Sequence, residues 1–191
     1  MRLAAAAALV LVGGCAQQFV RPSAEELKIG ETTPAQVIAR VGRQPVYGNL
    51  ERNGKSLQIV AFSHDAEWER PHGYDGVIPG RTQLYYFLDG KLVGYEFNST
   101  VESDHTDFSP RGTRDIVRGK TTRDEVTRLV GKPSGYLTFP LVDKGSAVLF
   151  GYREMRRVPF GKPTVYSKSL VIYLDESGIV HDFNYQTSGT P

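Results

Sequence analysis

Two histidines and several carboxylates lie close together in residues 64–72, a set of side chains that could bind a metal ion or move a proton. The segment reads His-Asp-Ala-Glu-Trp-Glu-Arg-Pro-His. Helical zinc sites place two ligands four positions apart, whereas His64 and His72 have no such spacing and no cysteine beside them. We therefore expect a solvated polar loop, and the sequence predicts neither a metal nor a cofactor.

The residue patterns of common enzyme sites are also missing from the sequence. Nucleophilic catalysis needs a serine or cysteine beside a base, but there is no Gly-x-Ser-x-Gly motif and the only cysteine, Cys15, ends an N-terminal apolar run. Gly119-Lys120-Thr121 lacks the earlier glycine of a phosphate-binding loop. Glu96 and Asp182 lie in two similar hairpins, so duplication accounts for them without acid and base chemistry. The sequence predicts that the protein is not an enzyme.

Two segments that combine aromatic and basic residues are better candidates for function. They are residues 64–82, which contain the only tryptophan, and residues 153–168. Both contain the glycine and proline of irregular loops. Tryptophan, tyrosine and arginine dominate the energetics of protein interfaces, so we predict that side chains of this kind contact a partner protein. The residues in question are Trp68, Tyr74, Arg156, Arg157 and Phe160. Close to a membrane, the basic residues would also attract anionic lipid headgroups.

The N-terminus predicts export and lipidation. Arg2 precedes the ten apolar residues Leu3 to Val12, a run too short to span a bilayer. It leads into Val-Gly-Gly-Cys, which resembles the lipobox of bacterial lipoproteins, whose cysteine becomes the lipid-modified first residue. We therefore expect a signal peptide over residues 1–14, an anchor at Cys15 and a tether over residues 15–23. Alanine after the cysteine, where aspartate commonly signals inner-membrane retention, favours a periplasm-facing location at the outer membrane.

The composition is that of a folded protein without a nucleic-acid partner. Hydrophobic residues make up 40% of the chain and charged residues 23%, which is enough to build a core. The formal net charge is +2, so there is no overall basic field that would attract nucleic acid.

A helical pattern occurs twice, over residues 29–45 and again over residues 118–133. Each copy begins with a capping box, in which a threonine and a residue three positions later exchange hydrogen bonds with each other's backbone. Each continues with a one-sided apolar stripe, then a glycine that ends the helix and a proline that prevents its continuation. The matching residues are Thr33 and Gln36 with Thr122 and Glu125, Gly42 with Gly131, and Pro45 with Pro133. We interpret this recurrence as a tandem duplication.

The rest of each copy predicts a short first helix and three strands. The helices are Ala24 to Ile29 and Thr113 to Val117, and the strands of the first copy are Leu57 to Phe62, Leu84 to Leu88 and Leu92 to Asn98. The predicted class is α+β, with two tandem helix-helix-three-strand repeats over residues 24–104 and 105–191, each with a helical pair on an antiparallel sheet. Alternation places Tyr86 toward the helices and Tyr85, Phe87 and Tyr173 on the opposite face.

The lipobox, the Gly-x-Thr-Thr-x-x-x-Val motif of both copies, the Gly-x-Pro of the second copy and the three strands together resemble the SmpA/OmlA (BamE-like) family of outer-membrane assembly lipoproteins. Two fused units also resemble the β-lactamase inhibitor proteins, which clasp an enzyme with a concave sheet. These resemblances imply an anchored interaction module with an envelope protein partner, in envelope or outer-membrane protein assembly. They also leave open an inhibitor-like binder of a periplasmic enzyme such as a hydrolase.

Overall fold

The fold is known from a computed structural model that describes residues 19–71, 76–104 and 106–190. Within these ranges there are two α-helices, α1 (Pro34–Val41) and α2 (Arg123–Val130), and one 3-10 helix (Pro110–Asp115). The strands are β1 (Val46–Arg52), β2 (Lys55–Asp65), β3 (Gly80–Leu88), β4 (Lys91–Ser99), β5 (Gly135–Thr138), β6 (Ser146–Arg156), β7 (Thr164–Leu174) and β8 (Val180–Ser188).

All eight strands form one antiparallel sheet in which each strand lies beside its neighbour in the sequence, from β1 to β8. Strands hold 46% of the residues and helices 13%. The prediction of two helix-helix-three-strand repeats is therefore wrong. The protein is mainly antiparallel β, and each half has one α-helix and four strands. The division at residues 104 and 105 stays a prediction.

The predicted first helices are too short to form. Residues 24–26 are turns, and Ser23 and Glu26 make their own local hydrogen bonds, with the Ser23 amide donating to the Glu26 carboxylate at 2.7 Å. Six residues before the left-handed Gly30 do not repay the cost of helix nucleation. In the second half, residues 110–115 form the tighter 3-10 helix. The missed strand β1 has a glycine in its middle and mostly exposed residues, so its sequence gives little sign of a strand.

Both predicted capping boxes are confirmed. Thr33 and Gln36 exchange hydrogen bonds at the start of α1, and Thr122 and Glu125 do so at the start of α2. Gly42 then ends α1 in the left-handed conformation. Gly131 has a positive φ of 113° but an extended ψ of −169°, so the chain leaves α2 in a different direction.

One row of side chains crosses the helix-bearing face of the sheet from edge to edge, because directly paired residues share a face. Its members are Tyr47, Val60, Tyr85, Tyr95, Tyr136, Val148, Ile172 and Phe183. Helix α1 packs on this face through Val37 and Val41, and α2 packs on it through Val126. Both helices therefore cover the same side.

The predicted faces are wrong for β3 and correct for β7. Tyr85 and Phe87 are buried on the helix side, and Tyr86 belongs to a separate cluster on the other side. The bulge of the first hairpin follows Tyr86 and that of the second follows Tyr173, so a sequence alignment that matches Leu88 with Leu174 places the residues of β3 one position out of step. We call the side without helices the open face.

Candidate functional site

The two segments predicted to be separate functional loops are paired with each other. The Ile78 amide donates to the Met155 carbonyl at 2.8 Å, and the Arg157 amide donates to the Gly76 carbonyl at 2.9 Å. Most of residues 153–168 is regular strand, since β6 ends at Arg156 and β7 begins at Thr164. The prediction of an irregular loop there is right only for residues 157–163. We call the end of the sheet formed by residues 66–71, 76–79 and 157–163 the loop end.

Several large apolar side chains at the loop end face water. Trp68 is 98% exposed and Phe160 is fully exposed. We define the loop-end patch as these two residues together with Met155, Val158 and Val165, which are also exposed. Among the described residues, half of the exposed large apolar side chains belong to this patch. Such clustering is typical of a surface that contacts something other than water.

Phe160 also has an unusual backbone. Its φ is +59°, in the left-handed region that bulky side chains rarely adopt. A residue such as asparagine or glycine adopts this conformation at lower cost. The chain therefore keeps an exposed aromatic ring at a position where local energetics favour a different residue, which supports a role for the ring itself.

The other two predicted contact residues that the structure describes differ from each other. Arg157 is an exposed side chain that lies 3.9 Å from the Glu67 carboxylate. Arg156 instead donates from Nε to the buried Glu154 carboxylate at 2.6 Å, and Tyr152 donates its hydroxyl to the other Glu154 oxygen at 2.5 Å. Arg156 therefore holds a buried charge in place. Burial, followed by the contact with Glu154, raises the pKa of Tyr152 above its ordinary value.

A second buried charge cluster lies on the helix side of the same end. Arg81 is 6% exposed and binds two carboxylates, donating to Glu69 at 2.5 and 2.6 Å and to Asp104 at 2.8 Å. The hydrogen bond from Arg81 lowers the pKa of Glu69. Burial lowers the pKa of the neighbouring His64, with smaller contributions from two arginines. This cluster fixes the first part of the β2–β3 loop to the sheet.

The N-terminal segment is bound at the loop end as well. The Phe19 ring lies 5.5 Å from His64 and 5.9 Å from Phe97, with the Arg81 guanidinium 4.5 Å from its centroid. The Gln83 side chain donates to the Val20 carbonyl at 3.0 Å. These contacts hold the start of the described chain beside the ends of β2 and β4.

The Asn98 side chain bridges β4 of the first half and β6 of the second half at their boundary, which we call the seam. Strand β5 has only four residues, so β4 and β6 face each other beyond it. The Asn98 amide nitrogen donates to the Arg153 carbonyl at 3.0 Å, and its oxygen accepts from the Arg153 amide at 2.7 Å. The Asn98 side chain thus makes the two hydrogen bonds with β6 that one more peptide unit of β5 would make. A cleft of about 250 Å³ lies at this seam.

The open face is apolar along a second row of paired residues. Its members are Ala61, Leu84, Glu96, Gly135, Leu149, Val171 and Asn184. Glu96 lies in this row and accepts a hydrogen bond from the Tyr86 hydroxyl at 2.8 Å. Burial raises the pKa of Glu96. Leu84, Val171 and Tyr173 are half-buried and belong to the same apolar cluster as Leu141 and Val142 of the β5–β6 loop, and no helix of the described ranges packs over them.

Some predicted residues lie outside the described ranges. These are Cys15, Tyr74 and His72. Over the part of the chain that is described, no group of three or more metal-ligating side chains comes together. In the same part, no helix has the length and apolar character to cross a membrane.

Comparisons with models of protein families, with curated proteins and with solved structures found no match to this chain. The surfaces of the protein are therefore the remaining guide to its function.

Nothing in the sequence indicates the two side chains that tie distant parts of the chain together. Asn98 ends a predicted strand and Arg81 lies within a predicted loop, and neither has a predicted role. Their roles depend on partners far away in the chain, such as Arg153 and Asp104. Met155 and Val165 were also missed, although their position beside Phe160 and several basic residues was a usable indication of an exposed hairpin tip.

Proposed function

We propose that this protein is a lipid-anchored, periplasm-facing lipoprotein of the outer membrane that acts as an interaction module for another envelope protein. The open face carries this proposal. A sheet face that meets only water usually has polar residues at its outward positions. Here Leu84, Val171 and Tyr173 occupy such positions beside the carboxyl group of Glu96, and they stay half-buried although Leu141 and Val142 of the β5–β6 loop pack on the same face. This mixture suits a protein surface that is covered by a partner.

The proposed role is binding without catalysis. Among the described residues, the buried carboxylates of Glu96 and Glu154 are held by tyrosine hydroxyls, and Glu154 also by Arg156. Groups that are already satisfied in this way hold the fold together and need no substrate to explain them.

The membrane anchor is tested by replacing Cys15 with serine in the full chain. We expect Cys15→Ser to leave the leader uncleaved or to release the protein from membranes, because lipidation requires the thiol. Fractionation and the mass of the N-terminal peptide measure this. A processed variant that stays in the outer membrane would show that Cys15 is not the anchor.

The partner surface is tested with a photo-crosslinking residue incorporated in living cells. Gln186 is exposed on the open face, paired with Ser169, and Arg128 is exposed on the outer side of α2. We expect a specific protein adduct from position 186 and none from position 128. Equal adducts at both positions would contradict the open face as the contact surface. An adduct with a soluble periplasmic hydrolase would favour the inhibitor-like alternative.

A further inference from the structure

We propose that the loop-end patch docks onto the phospholipid surface of the membrane that holds the lipid anchor. This inference rests on the proposed function, because it takes Cys15 as the anchor. It adds a second contact with the bilayer and thereby an orientation. The protein partner would then meet the open face, and the loop end would face the lipid.

The length of the tether supports a lipid surface as the occupant. Phe19 follows the anchor Cys15 by four positions and is held against Phe97 and His64 at the loop end. Four residues span at most about 14 Å. The contacts of Phe19 lie at the same end of the sheet as Trp68 and the 157–163 turn. At this end β2 and β6 finish, and β3 and β7 begin. The anchor therefore keeps this end, and not the opposite one, within reach of the bilayer.

The side chains of the patch suit the boundary between lipid headgroups and acyl chains. Tryptophan is enriched at that boundary, because its ring is apolar and its indole nitrogen donates a hydrogen bond. Phe160 and Val158 extend from the adjacent turn and add apolar surface. Fully exposed rings of this kind are costly in water and favourable in the interface.

The charges of the β6–β7 hairpin favour an anionic surface. Residues 155–168 contain four basic residues and no acidic one. Two of them already form ion pairs within the protein, Arg156 with Glu154 and Lys168 with Asp107 at 2.5 Å. Arg157 and Lys162 remain exposed, although Glu67 lies near Arg157. Each basic residue near an anionic membrane strengthens binding by about fivefold.

The single tryptophan provides the test. The lipidated full-length mature protein is reconstituted into vesicles of phosphatidylcholine with about one third phosphatidylglycerol, with and without brominated acyl chains. We expect a blue shift of Trp68 emission and strong quenching by the brominated lipid. The control is the double variant Trp68→Phe with Glu176→Trp, which moves the fluorophore to the exposed β7–β8 turn at the opposite end of the sheet. Its emission should not be quenched.

Two further variants separate docking from folding. Phe160→Asn suits the left-handed backbone, so it should remove apolar surface and reduce quenching without lowering the unfolding midpoint. Arg157→Ala with Lys162→Ala should lower the ratio of docked to undocked protein by roughly 25-fold in anionic vesicles. High salt should have a similar effect on the parent protein.

The outcomes distinguish this inference from the proposed function. If the protein sediments with vesicles but Trp68 is quenched no more than the control, the docking inference is wrong and the anchor stands. If the protein does not remain with membranes at all, the proposed function fails first. A photo-crosslink from position 68 to a protein, with no bromolipid quenching, would show that the patch binds a protein.

Discussion

The two halves of the sheet share a hydrogen-bonded frame and differ in how they bury charge. In the first half the Gly30 amide donates to the Leu92 carbonyl at 2.8 Å, and the Leu92 amide donates to the Thr32 carbonyl at 2.9 Å. Gly119, Val180 and Thr121 repeat this pattern at 2.8 Å in both bonds. The backbone hydrogen bonds that join the segment before each helix to the sheet are thus the same in both halves.

The charges at the loop end are not preserved. Arg81 pairs with His64 across two strands, and the corresponding pair in the second half is Lys168 with Tyr152. The first half buries a cation between two carboxylates, whereas the second half buries the carboxylate of Glu154. The frame explains what the halves have in common, and the loop end is where they have diverged.

The largest expected effect comes from removing the buried arginine. Arg81→Leu should lower the free energy of unfolding by about 3 kcal/mol, because Glu69 and Asp104 lose their shared cation. Lys168→Leu should cost about 1 to 2 kcal/mol, since Asp107 and the Phe108 carbonyl lose a donor but Glu154 keeps Arg156. Chemical denaturation measures both. Equal losses would contradict the difference between the two clusters.

The next effect concerns the seam. Asn184 supplies a matched control, because it follows Phe183 as Asn98 follows Phe97. Asn98→Ala should cost about 2 kcal/mol, because the Arg153 amide and carbonyl lose their partners and are only partly compensated by water. Asn184→Ala should change stability by less than about 0.5 kcal/mol, since Asn184 is exposed on the edge strand. Similar losses in the two variants would show that Asn98 does not join the halves.

The helix caps should have smaller effects that depend differently on pH. Thr33→Ala and Thr122→Ala should each cost about 1 kcal/mol at neutral pH. The backbone amide and the hydroxyl of Thr122 both donate to the Glu125 carboxylate and lower its pKa, and Thr122→Ala removes only the hydroxyl bond. The part of the cost due to this bond is present above pH 4.5 and is lost as the pH falls through the folded-state pKa. Gln36 does not titrate. Denaturation at neutral and acidic pH should therefore show a pH-dependent cost for Thr122→Ala only.

The smallest effect is expected at Glu96 and has the opposite sign. Burial raises the pKa of Glu96, so the folded state binds a proton more tightly than the unfolded state above pH 4.5, and stability falls as pH rises through the folded pKa. Glu96→Gln should leave the unfolding free energy unchanged at low pH and increase it by less than about 1 kcal/mol at pH 8. A stability loss at pH 8 would show that the carboxylate is needed in its charged form.

These comparisons show what local sequence could and could not predict. The capping boxes and the hairpins around Asp89 and Asp175 depend on residues within a few positions, and they were predicted correctly. The single sheet was not predicted, because β5 has four residues and its pairing with β4 is a contact between distant parts of the chain. Strand β1, exposed at the edge, lacks the alternation that marks a half-buried strand.

The candidate site was predicted only in part, because some of its residues can be selected by type and others depend on contacts with distant residues. Exposed aromatic residues such as Trp68 and Phe160 could be selected by type, and the structure describes both as exposed. Arg156 could not be distinguished from Arg157 by sequence, because its role depends on Glu154 pointing inward beside Tyr152. Alternation within β6 was obscured by interpreting these residues as a loop.

The join between β4 and β6 has a consequence for how the protein avoids self-association. Two separate four-stranded sheets would expose four backbone edges, each with unpaired amides and carbonyls that can recruit a strand from another chain. Strand β5 and the Asn98 side chain place two of those edges inside the molecule. Among the described strands, only β1 and β8 remain as edges of the sheet. Fusion of the halves thus removes half of the surface through which such units could polymerise.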